Sequence, residues 1–105
     1  MKSMIKALIA TALMTGTAMA ATSERPATKA EIEKIAVGHT VSGAMRYMPN
    51  GRYTYKGGNP GTYKILQGQV CVTFDNGGKR CDRIVTGDGK SFTLINARGE
   101  RYPFK

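Results

Sequence analysis

The stretch QVCVTFDNGGKRCDR, residues 69–83, holds both cysteines of the chain around a glycine pair, and the reading of the whole fold depends on it. Val70-Cys71-Val72-Thr73-Phe74 is rich in β-branched and aromatic residues, the composition of a strand, and Lys79 to Val85 reads as its return. If Cys71 faces Cys81, Thr73 falls opposite Lys79 and Phe74 opposite Gly78. A three-residue loop remains, Asp75-Asn76-Gly77, with Gly77 at the left-handed position that a three-residue hairpin with a bulge requires. Turn chemistry and cross-strand cysteines agree on one register. Opposed strand positions stand about 4.5 to 5.5 Å apart at Cα, within disulfide reach.

Two other uses of the cysteines fit less well. Redox catalysis calls for the close C-x-x-C spacing. A zinc site calls for further Cys or His ligands, and His39 is the single histidine. Cys71 and Cys81 are therefore read as a structural disulfide, with no metal site, and closing so short a loop contributes roughly 3 kcal/mol. One feature resists this reading. Val70, Val72 and Phe74 share a face with Arg80 and Asp82, an apolar triplet beside charges, which points to a bulge or an exposed sheet edge.

Residues 1–20, MKSMIKALIATALMTGTAMA, place Lys2 and Lys6 ahead of an apolar run from Ala7 to Met14 and end in Ala18-Met19-Ala20. That is the pattern of a secretory signal peptide cleaved after Ala20. The apolar run falls short of the roughly 20 residues needed to span a bilayer, and no cysteine stands at or just after the cut to take a lipid. The expected location is periplasmic or secreted, where oxidising conditions preserve a disulfide. Residues 21–28 read as a flexible lead-in and 29–105 as one small β-rich domain. Without Lys2 and Lys6, fourteen Lys and Arg face seven Asp and Glu, a formal +7.

Thr28-Lys29-Ala30-Glu31 matches a capping box. Ile32, Ile35 and Ala36 recur at helical spacing and Gly38 supplies the stop, so residues 29–37 form one short amphipathic helix. At that length it is marginal alone and has to dock on something. The rest of the chain, from His39 on, reads as a β-meander with strands near residues 39–42, 45–48, 52–55, 61–66, 69–74, 80–85, 91–96 and 101–104, punctuated by Gly, Asn, Asp and Pro clusters. The fold class expected is mostly β: a small antiparallel curled sheet or partly closed barrel of six to eight short strands, with the helix covering one opening or face. The predicted core comprises Ile32, Ile35, Val37, Val41, Tyr53, Tyr55, Tyr63, Ile65, Val70, Val72, Phe74, Ile84, Phe92, Leu94 and Tyr102.

The blocks Gly38-His39-Thr40-Val41-Ser42-Gly43, Gly51-Arg52-Tyr53-Thr54-Tyr55, Gly61-Thr62-Tyr63-Lys64-Ile65 and Gln69-Val70-Cys71-Val72 with Arg80-Cys81 occur in this order over residues 31–85. In order and spacing the chain resembles a family of small exported bacterial proteins, found mainly in alphaproteobacteria and known only as a domain of unknown function. It departs from that family in carrying Tyr63 where typical members carry tryptophan. The resemblance implies a secreted β-rich fold and supplies no reaction and no catalytic residue.

No catalytic constellation stands out. Glu31 and Glu33 fall in the helix and Asp75 and Asp88 in turns, without the paired carboxylates of glycoside hydrolysis. His39 is the sole histidine base, and its neighbours Thr40 and Ser42 match no nucleophile motif. The positive charge is more informative. Arg46, Tyr47, Arg52, Lys56, Lys64, Lys79, Arg80 and Arg101 interleave cations with tyrosines and form the candidate binding surface, cations meeting anionic groups and rings stacking on bases or sugars. Within one strand, however, Arg52 and Thr54 take one face and Tyr53 and Tyr55 the other, so the same pattern also suits tyrosines as core and cations as a solvated face. Met45 and Met48 beside Tyr47 add an adaptable apolar contact or more core.

An exported +7 domain is steered towards anionic polymers and lipids of the cell envelope. Nucleic acid is scarce there and is not the expected partner. The sequence thus predicts a non-enzymatic, cofactor-free binding or envelope-associated module recognising an anionic envelope component or another exported protein. The competing expectation is an inhibitor of a secreted hydrolase such as a lysozyme or protease, with Pro49 to Arg52 and Asn76 to Lys79 as contact tips. A hydrolytic enzyme is the minority expectation.

Overall fold

The computed structural model describes residues 23–105, so the predicted leader, residues 1–20, lies outside the described residues. In chain order the elements are β1 (Arg25–Pro26), α1 (Lys29–Ala36), β2 (His39–Val41), β3 (Met45–Tyr47), β4 (Arg52–Tyr55), β5 (Gly58–Leu66), β6 (Gln69–Phe74), β7 (Lys79–Thr86), β8 (Phe92–Ile95) and β9 (Arg101–Pro103). Strands β2 to β9 pair antiparallel, each with the next, in one strongly curled open sheet, a half-barrel.

The central hairpin has the expected register: Cys71 opposite Cys81 and Thr73 opposite Lys79. The Phe74 N–H donates to the Gly78 carbonyl at 2.7 Å and the Gly77 N–H to the Phe74 carbonyl at 2.9 Å. Gly77 has φ +100°, a conformation that costs an L-residue with a side chain. Counting along the ladder from Phe74 and Gly78, residues 71 and 81 form a non-hydrogen-bonded pair, the closer of the two antiparallel spacings. Their Cα atoms are 4.0 Å apart and the sulfurs are bonded. Next to this hairpin β5 approaches so closely that a Cβ at Gly61 would run into the Thr73 carbonyl oxygen.

The helix begins as its sequence dictates. Thr28 Oγ1 accepts from the Glu31 N–H at 3.1 Å, and Glu31 Oε1 accepts from the Thr28 N–H at 2.9 Å. Ile32 and Ala36 are fully buried, and the helix packs against β2 and β5. The residues just before it differ from expectation. Residues 25–27, read as flexible lead-in, are built into the sheet: Arg25 and Pro26 pair with Thr86 and Val85, and Ala27 is completely buried. The stretch lacks apolar periodicity because two residues suffice to extend the sheet beyond the end of β6. Arg25 also grips Glu31 with two 2.8 Å bonds, clamping the lead-in to the helix start.

The core is aromatic at its centre. The Tyr47 ring lies 5.3 Å from Tyr53, 5.2 Å from Tyr63 and 6.3 Å from Phe104, in tilted and edge-on geometries favoured by ring quadrupoles. Tyr55 and Tyr102, predicted as core, are 39% and 46% exposed. They do point to the concave side, as alternation requires, but the curl leaves that end open. β2 and β9 do not pair as strands. They are tied only where the Ser42 N–H donates to the Lys105 carbonyl at 2.6 Å and its hydroxyl to the Pro103 carbonyl.

Candidate functional site

The pleat separates two surfaces, convex and concave, and sorts the predicted binding residues between them. On the convex side one row crosses four strands, Arg52, Thr62, Thr73 and Lys79 standing successively opposite one another. With strands about 4.8 Å apart this row is about 14 Å long. The next row is Lys64, Cys71 and Cys81, and beyond it Gln69, Arg83, Ile95 and Arg101 stand in register. Arg46 takes the same face of β3, opposite Thr40 and Thr54. The disulfide therefore sits amid cations rather than in the core. Arg83 belongs to this face and was missed; its place two residues after Cys81 was the available signal.

Of the seven Asp and Glu in the chain, six lie outside the strands, and Asp82 on β7 is turned inward. The strand-borne convex face thus carries Arg46, Arg52, Lys64, Lys79, Arg83 and Arg101 without a carboxylate of its own. Two of these cations are engaged from the rim. Arg52 makes a forked pair with Asp75 at 3.1 and 2.7 Å, and Arg101 bonds to Glu24. The Arg52 guanidinium holds the Asp75 carboxyl below its usual range. Lys56 is exposed in the turn after β4, with Nζ 5.8 Å from the centre of the Tyr55 ring.

Two predicted surface residues face inward rather than onto the convex surface. Tyr47 is 1% exposed, because on a strand of burial pattern in-out-in it takes the inward position beside Met45 while Arg46 alone faces out. The core alternative read for Met45 is the one realised. Arg80 is also turned inward, and with Asp82 it resolves the conflict between apolar and charged residues on one face. Neither a bulge nor a sheet edge is involved: the charges pair with each other on the concave side. Arg80 Nε stands 2.8 Å from Asp82 Oδ2, an ion pair whose N–H is not aligned on the oxygen as a hydrogen bond. Nη2 donates to the Tyr53 hydroxyl at 3.2 Å, and the guanidinium lies 6.0 Å from the Phe74 ring centre. The Asp82 side chain is 5% exposed and its Oδ1 has no hydrogen-bond partner. Burial raises the Asp82 carboxyl above the ordinary carboxylate range, and the Arg80 charge offsets this only in part.

This pair lies at the floor of an open cleft of about 700 Å³ in the mouth of the half-barrel, which the sequence did not disclose. Tyr55, Phe74 and Tyr102 form its aromatic walls. His39 is exposed on the edge strand β2, and the Ser42 hydroxyl is committed to Pro103. Among the described residues no three His, Cys, Asp or Glu side chains cluster as metal ligands, and no helix is long and apolar enough to cross a membrane. No known protein family, no characterised protein and no solved structure matches the chain.

Proposed function

We propose that this protein is a non-enzymatic, exported binding module whose convex face holds an anionic component of the cell envelope. The observation that carries the reading is the placement of charge: six cations on the convex strands, the single strand carboxylate turned inward. A disulfide-locked sheet makes that face a rigid array, so little ordering entropy is lost when it meets a polyanion. Lys64 and Lys79 are its exposed centre and have no ion-pair partner among the described residues, which leaves them available to phosphate or carboxylate groups.

The test is co-sedimentation of the purified protein with phosphatidylglycerol vesicles and with lipopolysaccharide across a salt series, phosphatidylcholine vesicles serving as control. Binding to the anionic surfaces falls as salt rises, because the screening length shrinks to about 10 Å at 0.1 M. Lys64→Gln combined with Lys79→Gln lowers the salt concentration at half retention while leaving the melting temperature unchanged. Retention that ignores salt would remove the charge-led reading, and inhibition of a lysozyme or protease by the same protein would replace it with the inhibitor class.

A further inference from the structure

We infer that the open mouth of the half-barrel is a binding site for a neutral saccharide, seated on Tyr55 and Tyr102 above the Arg80–Asp82 pair. The site is separate from the convex face and does not depend on the reading given for it.

The first observation is two inward-facing tyrosines that the fold leaves uncovered. Tyr55 stands opposite Met45 and Tyr102 opposite Leu94, both partners buried, so each ring is on the concave side of the sheet. Rings at such positions would be covered in a closed barrel. Here β2 and β9 meet only at Ser42, and the two rings remain 39% and 46% exposed, one from each flank of the mouth. The cleft between them, about 700 Å³, is of a size usual for small-ligand sites, roughly 300–1,000 Å³.

The second observation is the floor. Asp82 is a carboxylate 5% exposed with one oxygen unpartnered, a group that a buried site normally satisfies. Beside it Arg80, 35% exposed, offers N–H donors to the cleft, and the pair has no net charge. A ligand suited to this site must accept from Arg80, carry no negative charge against the adjacent Asp82 and present a flat apolar face to the rings. A sugar ring meets all three demands. Its hydroxyls both donate and accept, and its polarised C–H bonds meet the negative face of an aromatic ring. An acyl chain would cover the rings and leave the Arg80 N–H donors that face the cleft without a partner. A phosphate or carboxylate would pair with Arg80 but be repelled by Asp82 a few ångströms away, and Arg98, which also lines the cleft, is already paired with Glu100.

The experiment is a titration of the purified protein with di- and trisaccharides of glucose, mannose and N-acetylglucosamine. It is followed by backbone amide shifts and by tyrosine fluorescence, which no tryptophan obscures in this chain. Dodecanoate and inorganic phosphate are the contrasting probes. At least one saccharide is expected to saturate, with shifts confined to the mouth and an affinity that salt does not change. Tyr55→Ala and Tyr102→Ala should each weaken it roughly tenfold with the amide spectrum outside the mouth unchanged, the two residues being 39% and 46% exposed. The inference is overturned if no saccharide saturates at millimolar concentration, if only dodecanoate or phosphate fills the mouth, or if both tyrosine variants bind as the wild type does. None of those results touches the vesicle experiment, whose signal depends on salt and on the opposite face.

Discussion

Replacing Arg80 by alanine removes one half of a buried ion pair and leaves Asp82 alone on the concave face. The expected loss is about 3 kcal/mol, the lower end for a buried pair because Arg80 is itself 35% exposed. The pH dependence identifies the cause. Burial holds the folded-state Asp82 carboxyl above its ordinary 3.8, so the ionised form weighs against folding, a cost absent at low pH that grows as pH rises through the interval between the unfolded and folded values. Without Arg80 that interval extends further upward. The deficit of Arg80→Ala, measured by denaturant titration, is therefore largest near neutral pH and shrinks towards pH 3.8. A deficit independent of pH would mean lost packing on Phe74 instead. Cys71→Ser acts differently: it frees the unfolded chain from a short loop and lowers stability by about 3 kcal/mol, read as a fall in melting temperature on the order of 10–20 °C. Single residues were unevenly legible in sequence. The cysteine register followed from spacing and turn chemistry and already set Arg80 on the face of Val70, Val72 and Phe74, whereas Tyr47, and Arg80 in its second assignment to the binding surface, were misplaced because an aromatic or a cation next to another cation looks the same whichever face it takes.

Helix α1 is short, and its start is over-determined by the capping box and by the clamp from Arg25. Thr28→Ala removes the hydroxyl acceptor and costs about 1 kcal/mol. Glu31 adds a pH signature: hydrogen bonds from Arg25 and from the Thr28 backbone lower its carboxyl from 4.5 to about 2. With the folded value below the unfolded one, its contribution is present above pH 4.5 and is lost as pH falls towards 2. Asp75, Asp88 and Glu100 are lowered as well and act in the same direction, while Asp82 opposes them. Melting temperature should therefore drop on acidification from pH 5 to 2, and Glu31→Gln should flatten that drop; an unchanged slope would place the acid sensitivity elsewhere. The capping box and the strand order were visible beforehand because both rest on contacts between near neighbours. The pairing of β1 was not, since two residues carry no periodicity.

The curl of the sheet is set by contacts far apart in sequence, and those were beyond a reading of local pattern. Alternation placed Tyr55 and Tyr102 on the inner face correctly, yet whether an inner face is filled depends on how nearly β2 and β9 meet, which no stretch of the chain encodes by itself. The sorting of charge follows from the same geometry: outward cations form one field, and the inward carboxylate does not dilute it. Raising ionic strength should thus weaken the proposed binding to anionic vesicles without lowering the melting temperature, because the Asp82 carboxylate of the inner pair is 5% exposed while the convex cations face solvent.

Phe104 comes after a final strand whose three residues are all exposed, yet it is only 1% exposed and its ring meets Tyr47. The last strand is thus pinned from beyond its own end, by a stopper as well as by its ladder with β8. Stopping translation after Pro103 would withdraw that stopper together with the Lys105 carbonyl that holds Ser42, at a cost of about 3–5 kcal/mol for the ring alone. A shortened product of that kind would be a substrate for quality-control proteases long before it lacked any surface charge.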